Sequence, residues 1–174
     1  CHNAELTSSN KYEGLYAVGG VDFEFSEKSN NLKEMVHSIH AAGMREVPFN
    51  FIRGSVTGTS GGAGPHVFEE VTYPGRLAEC MACHKTGTFS PPANASYAWS
   101  VIEAAPAANQ AAFATSTLSA TRQGPGAGAC GSCHDSSAAR AHFVLNTSTA
   151  LSMESCATCH GPGKDKDPAV VHLP

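Results

Sequence analysis

The sequence predicts a mostly irregular fold with a few short α-helices, little β-structure, and an interior that its own side chains do not fill. Two observations lead there. Hydrophobic residues make up 41% of the 174, yet only 7% are aromatic, and 17 Gly and 10 Pro interrupt the apolar stretches. Alanine swells that apolar fraction while burying little area per residue, and the Leu/Ile/Val runs that feed an ordinary core are missing. The second observation is a repeat. Six of the seven cysteines fall in three copies of one pattern: Cys80-Met81-Ala82-Cys83-His84, Cys130-Gly131-Ser132-Cys133-His134 and Cys156-Ala157-Thr158-Cys159-His160. Chance would supply roughly 0.01 such motifs in a chain of this composition.

The spacing has a chemical reading. In C-x-x-C-H, two thiols reach the two vinyl groups along one edge of a porphyrin, and the adjacent His lies under the iron as axial ligand. A zinc site built from C-x-x-C pairs leaves the His after every pair unexplained. A disulfide framework fails as well, because bridges between near neighbours staple nothing. The predicted class is therefore a multihaem cytochrome c with a haem-packed core, attached through Cys80, Cys83, Cys130, Cys133, Cys156 and Cys159. The seventh cysteine opens the chain as Cys1-His2. It reads as the end of a fourth motif whose first cysteine lies upstream, and a start without Met marks a processed or partial product. Four haem c groups are expected, with His2, His84, His134 and His160 as proximal ligands.

Subtracting those four from nine histidines leaves His37, His40, His66, His142 and His172. Four irons need four distal ligands, so five candidates argue for bis-His ligation throughout. Methionine is the weaker alternative: Met81 lies inside a motif, and Met35 and Met44 flank a His pair. Met153 is the remaining thioether. The surplus histidine is either an ordinary one or the ligand of a haem attached elsewhere. His66, in Gly64-Pro65-His66, has the most loop-like surroundings.

Local patterns place these residues. Val21-Asp22-Phe23-Glu24-Phe25 alternates like a strand. Ser29-Asn30-Asn31 offers N-caps for a helix over Leu32 to Ala42, and Gly43 can stop it. His37 and His40 are three apart on that helix, so they share a broad face and can serve two haems. Gly54 to Gly64 reads as a loop that lacks the Lys-Ser/Thr ending of a phosphate cradle. The Ala-rich stretch from Gly87 to Gly128 suggests short helices over Tyr97 to Ala105 and Asn109 to Leu118. Asp135-Ser136 looks like the N-cap of a helix carrying His142, and a polar tail from Gly161 to Pro168 returns His172 to the haems. No domain boundary is visible, so residues 1–174 read as one domain.

Composition also bounds the function. A net charge of −4 argues against a nucleic-acid surface, and no apolar run approaches a membrane span. No Ser-His-Asp or paired-carboxylate site is evident, and Glu69-Glu70 reads as a solvated pair. Several haems in so short a polypeptide must lie close together and exchange electrons rapidly. Two histidines per iron close both axial positions, which favours outer-sphere transfer over bond-making and gives low potentials.

The chain resembles a known family. Cys1-His2-Asn3, Met35-Val36-His37-Ser38-Ile39-His40, Val71-Thr72-Tyr73-Pro74-Gly75, Ala139-Arg140-Ala141-His142, Cys159-His160-Gly161-Pro162-Gly163 and Val171-His172 are similar to segments of the OmcA/MtrC-type outer-membrane decahaem cytochromes. The likeness covers nearly the whole chain and matches one pentahaem domain, most like the C-terminal one. It implies export through the periplasm to the cell surface or beyond, and respiratory electrons passed to metal oxides or flavins. The implied partners are other redox proteins, an outer-membrane porin-cytochrome conduit, other haem domains or copies of the chain itself. Two alternatives stand beside this conduit: a conductive filament subunit, in which a distal His such as His66 ligates across subunits, and a multihaem reductase. The reductase needs an open or Lys-ligated haem, and no C-x-x-C-K motif is present. His37→Ala and His40→Ala should each convert one haem to five-coordinate. Ferric EPR of the two variants checks this, and an unchanged low-spin signal in both overturns the helix assignment.

Overall fold

The computed structural model describes residues 14–18, 21–25, 27–53, 64–91, 99–104 and 120–172. Cys1, His2, most of the Gly54–Gly64 loop and the helix expected over Asn109 to Leu118 lie outside them.

The strands are two to five residues long and pair in small separate sheets. Strands β1 (Gly14–Val18) and β2 (Val21–Phe25) form an antiparallel hairpin in which Gly14 faces Phe25 and Val18 faces Val21. The alternation over 21–25 thus has its partner. Strand β3 (Glu27–Lys28) joins β6 (Ser100–Ala104), which also pairs with β7 (Ala120–Gln123). Between them, β4 (Phe51–Arg53) pairs with β5 (Gly64–His66), Phe51 opposite His66. Near the C-terminus β8 (Thr147–Ser148) meets β9 (Met153–Glu154).

One expectation is corrected here. Residues 100–104 are a strand, not part of a helix over Tyr97 to Ala105. The β-branched pair Val101-Ile102 suits a pleated surface, and partners on both sides supply the backbone hydrogen bonds that alanine-rich flanks would have sought in a helix.

Helix α1 (Leu32–His40) begins where the sequence says it should. Asn31 is its N-cap, and the side-chain oxygen accepts from the Lys33 N–H at 3.1 Å. Its α-helical part ends at His40, two residues early, and a 3₁₀ turn (Ala42–Met44) follows. Gly43 donates its N–H to the Val71 carbonyl at 3.1 Å, and a Cβ there would lie 3.0 Å from that oxygen. Helix α2 (Pro125–Gly131) carries the first cysteine of the second motif, and α3 (Ser137–Leu145) follows that motif. Ser136 alone caps α3, accepting from the Ala139 N–H at 3.2 Å, so Asp135 is not a cap. Helices α4 (Ala157–His160) and α5 (Pro168–Val171) are single turns around the third motif and the tail.

Among the described residues, few large apolar side chains are buried. Met35 and Phe49 form a buried centre, with Ile39 and Phe68 partly buried against it. The other deeply buried groups are mostly polar: Ser29, Asn30, Glu34, Ser38, Ser132, Asp135 and Asp167. Such groups hold their place only by finding hydrogen-bond partners. Asp167 accepts from Gly163 and Ala169 N–H at 2.7 and 2.9 Å, closing the loop before His172. Glu154 does the same across a longer span. Its carboxylate takes the Gly126 and Ala127 N–H groups at 2.7 and 2.8 Å, capping α2, whose own N-cap residue Gly124 has no side chain to offer. A Cβ on Gly124 would strike that carboxylate, which explains glycine at this position. Glu154→Ala strips two charge-assisted bonds from part-buried donors. It should lower stability by about 2 kcal/mol, read as a shift of the thermal unfolding midpoint.

Candidate haem-binding site

The three complete motifs fold alike. In each, the His N–H donates to the carbonyl of the first cysteine at 2.8 Å: His84 to Cys80, His134 to Cys130, and His160 to Cys156. The second cysteine's N–H reaches the same carbonyl at 3.1 to 3.2 Å. This one-turn geometry puts both thiols and the imidazole on one side of the turn whether the motif starts on a 3₁₀ turn (Cys80–Ala82), at the end of α2, or just before α4.

Each motif histidine then faces a second histidine from far along the chain. His37 on α1 meets His84 with ring centroids 5.9 Å apart. His134 meets His172, at the end of α5, also at 5.9 Å. His142 on α3 meets His160 at 6.0 Å. Direct imidazole contact would be closer, and nothing in a hydrogen bond demands this gap. A metal held axially by two imidazoles through bonds of about 2.0 Å sets the centroids about 6 Å apart. Among the described residues, no three His, Cys, Asp or Glu side chains converge as a metal site, so the donors come in pairs. A pair suits an ion whose other four ligands a planar macrocycle provides, not a tetrahedral zinc.

The protonation states fit. Burial, then the neighbouring His84, pushes the His37 imidazole below its ordinary pKa, and burial, then His134, does the same for His172. Both effects favour the neutral ring, which is the ligating form. The Nδ1 atom of His172 is buried without a hydrogen-bond partner among the described residues. His160 is oriented differently: its Nδ1 lies 3.0 Å from the Lys166 carbonyl, and donating there leaves Nε2 free for a metal. Burial raises the thiols of Cys130, to about 11, and of Cys133 and Cys156, which opposes their use as zinc thiolates.

Apolar side chains around these pairs stand open. Val144 and Leu145 after His142 are 74% and 84% exposed, and Val170 and Val171 before His172 are also exposed. Leu32 and Val36 lie uncovered on α1. A flat apolar group at each motif would cover them. The residues present therefore fit covalently held haem.

Two candidates stand apart. His40 directs Nδ1 to the Val36 carbonyl at 2.7 Å and sets its ring edge against Tyr73, at 5.7 Å between centroids. His66 stacks on Phe68 at 6.4 Å. Neither meets another histidine among the described residues, and Cys1 and His2 lie outside them. Glu69 and Glu70 are exposed as expected, with Glu69 accepting from Asn50. Sequence reasoning missed Arg45, Asp135 and Glu154, which hold the second motif. Only the carboxylate directly after His134 hinted at them.

Comparison with protein families supplies the remaining observation. The model for "Outer membrane cytochrome MtrC/MtrF-like, domains II/IV" matches residues 1–173. The chain belongs to this family. As an MtrC/MtrF-like outer membrane cytochrome it is an electron-transfer protein, and haem c is the cofactor the family implies. No curated protein and no solved structure matches the chain. Among the described residues no helix is long and apolar enough to cross a membrane.

The ring planes distinguish the pairs. They lie 28° and 20° apart in His37/His84 and His134/His172, but 76° apart in His142/His160. Near-parallel axial imidazoles split the iron d orbitals and give a rhombic low-spin ferric signal. Near-perpendicular ones leave two orbitals nearly degenerate and give a strongly anisotropic one. In ferric EPR, His142→Ala should remove a strongly anisotropic signal and His172→Ala a rhombic one. Loss of the same signal class in both contradicts the ring geometry.

Proposed function

We propose that this MtrC/MtrF-like domain conducts respiratory electrons outside the cell, through closely spaced bis-His haems, to acceptors such as metal oxides or flavins. The observation that carries the proposal is the set of three His–His gaps of 5.9 to 6.0 Å, each starting from a C-x-x-C-H motif. In this reading Cys80/Cys83 goes with His84 and His37, Cys130/Cys133 with His134 and His172, and Cys156/Cys159 with His160 and His142. Cys1 and His2 hold a fourth haem. His40 and His66 are the remaining distal ligands, for that haem and for one bonded outside residues 1–174. The whole is one cytochrome domain.

When bound, each haem supplies a one-electron ferric/ferrous couple. The residues do the rest. Two imidazoles from distant segments close both faces of the site, so a substrate finds no open position. An exported domain of this kind works with neighbouring redox proteins, a porin-cytochrome conduit or further copies of itself.

Intact mass of the purified chain should show one haem increment for every motif, and the ferric spectrum should be low-spin throughout. Stopped-flow mixing of the reduced protein with a flavin or a ferric oxide should show reoxidation without a bound intermediate. A colourless protein, or one holding zinc, defeats the haem assignment. A high-spin haem that binds small anions favours the reductase instead.

A further inference from the structure

The second motif differs from the others in what surrounds its peptide bonds. Arg45, just after α1, is 7% exposed, and its guanidinium reaches across to the two spacer residues of Cys130-Gly131-Ser132-Cys133-His134. It donates to the carbonyl of Gly131 at 3.4 Å and to that of Ser132. Its Nε–H goes to the Val47 carbonyl at 3.0 Å, and its plane lies over the Phe49 ring at 5.8 Å. The counter-charge is Asp135, the residue directly after the motif histidine, 3% exposed and 3.5 Å from the guanidinium. Asp135 also accepts from the Glu46 and Val47 N–H groups at 3.1 and 2.7 Å. A second guanidinium, Arg140, donates to the Asp135 carbonyl at 3.1 Å. The corresponding residues after His84 and His160 are Lys85 and Gly161, and neither is a carboxylate.

A buried ion pair is costly to keep and is weak support for stability alone, so its position requires another reason. It brackets both ends of one attachment loop. Two opposite charges in a low-dielectric interior also act strongly on any centre that changes charge beside them. Resting on the haem reading above, we infer that Arg45 is a positioning and potential-setting residue for the haem at Cys130 and Cys133, with Asp135 as its opposing partner. Arg45 holds the loop carbonyls in register and disfavours the ferric charge; Asp135 favours it. The pair therefore sets the level of this haem relative to those whose motifs lack such a pair.

The test uses the full holoprotein, with potentials from spectroelectrochemical titration and haem content from intact mass. Arg45→Gln should lower the potential of one haem, Asp135→Asn should raise the potential of the same haem, and the double variant should return close to the parent. Each single change should be about tenfold in the ferric/ferrous equilibrium, 59 mV for a one-electron couple. Arg45→Lys keeps the charge but loses the fork, so its potential should stay near the parent while its thermal midpoint falls. A merely structural role moves both single variants in the same direction. That outcome, or full haem content with no potential moved, overturns the inference and leaves the haem reading intact. Absence of haem from the parent defeats the haem reading itself. If Arg45→Gln fails to accumulate, the upward shift in Asp135→Asn and the null shift in Arg45→Lys still decide.

Discussion

Three pairs of imidazoles held at nearly the same separation organise everything else in this structure. Each gap is too wide for ring contact and of the width that a metal held from both sides requires. One ring of every pair comes from a short covalent motif, and the other from a segment that the chain must bring back over a long distance. The helices and turns are short because their task is to present single side chains. Helix α1 delivers His37, α3 delivers His142, and α5 delivers His172.

Among the described residues, the buried set around Met35 and Phe49 is mostly carboxylates, hydroxyls and amides. Those groups serve as local fasteners. Asp167 closes the loop ahead of His172, Glu154 ties β9 to the start of α2, and Asp135 ties the second motif to the segment after α1. Each carboxylate satisfies two backbone donors, so the segments leading to His134 and His172 are tied down, while Val144, Leu145 and Val170 are exposed.

The C-x-x-C-H repeat was legible because its spacing recurs three times in six cysteines and three histidines, and the structure gives all three copies the same turn. Helix α1 was legible from Asn31 and the apolar rhythm behind it, and α3 from Ser136. The pairings were not, since nothing local in the sequence says that His37 belongs with His84 and not with its neighbour His40. The strand at Ser100–Ala104 was misread for a related reason: alanine favours helix only when no neighbouring strand is on offer, and its partners at 27–28 and 120–123 are remote. Asp135 looked like a cap because a carboxylate beside a helix start ordinarily is one. Its true partners, Arg45 and the amides of Glu46 and Val47, lie far back in the chain.

The way the C-terminal pairs are threaded has a consequence for assembly. The stretch joining His142 to His160 lies wholly inside the one joining His134 to His172, like one bracket within another. Loop-closure entropy falls when the enclosed loop is already tied, so the inner bracket shortens the effective path that the outer one must close. His172 therefore docks last in this half of the molecule. A chain emerging from its N-terminal end would complete the His142–His160 pair before the His134–His172 pair, even though the second motif is made first.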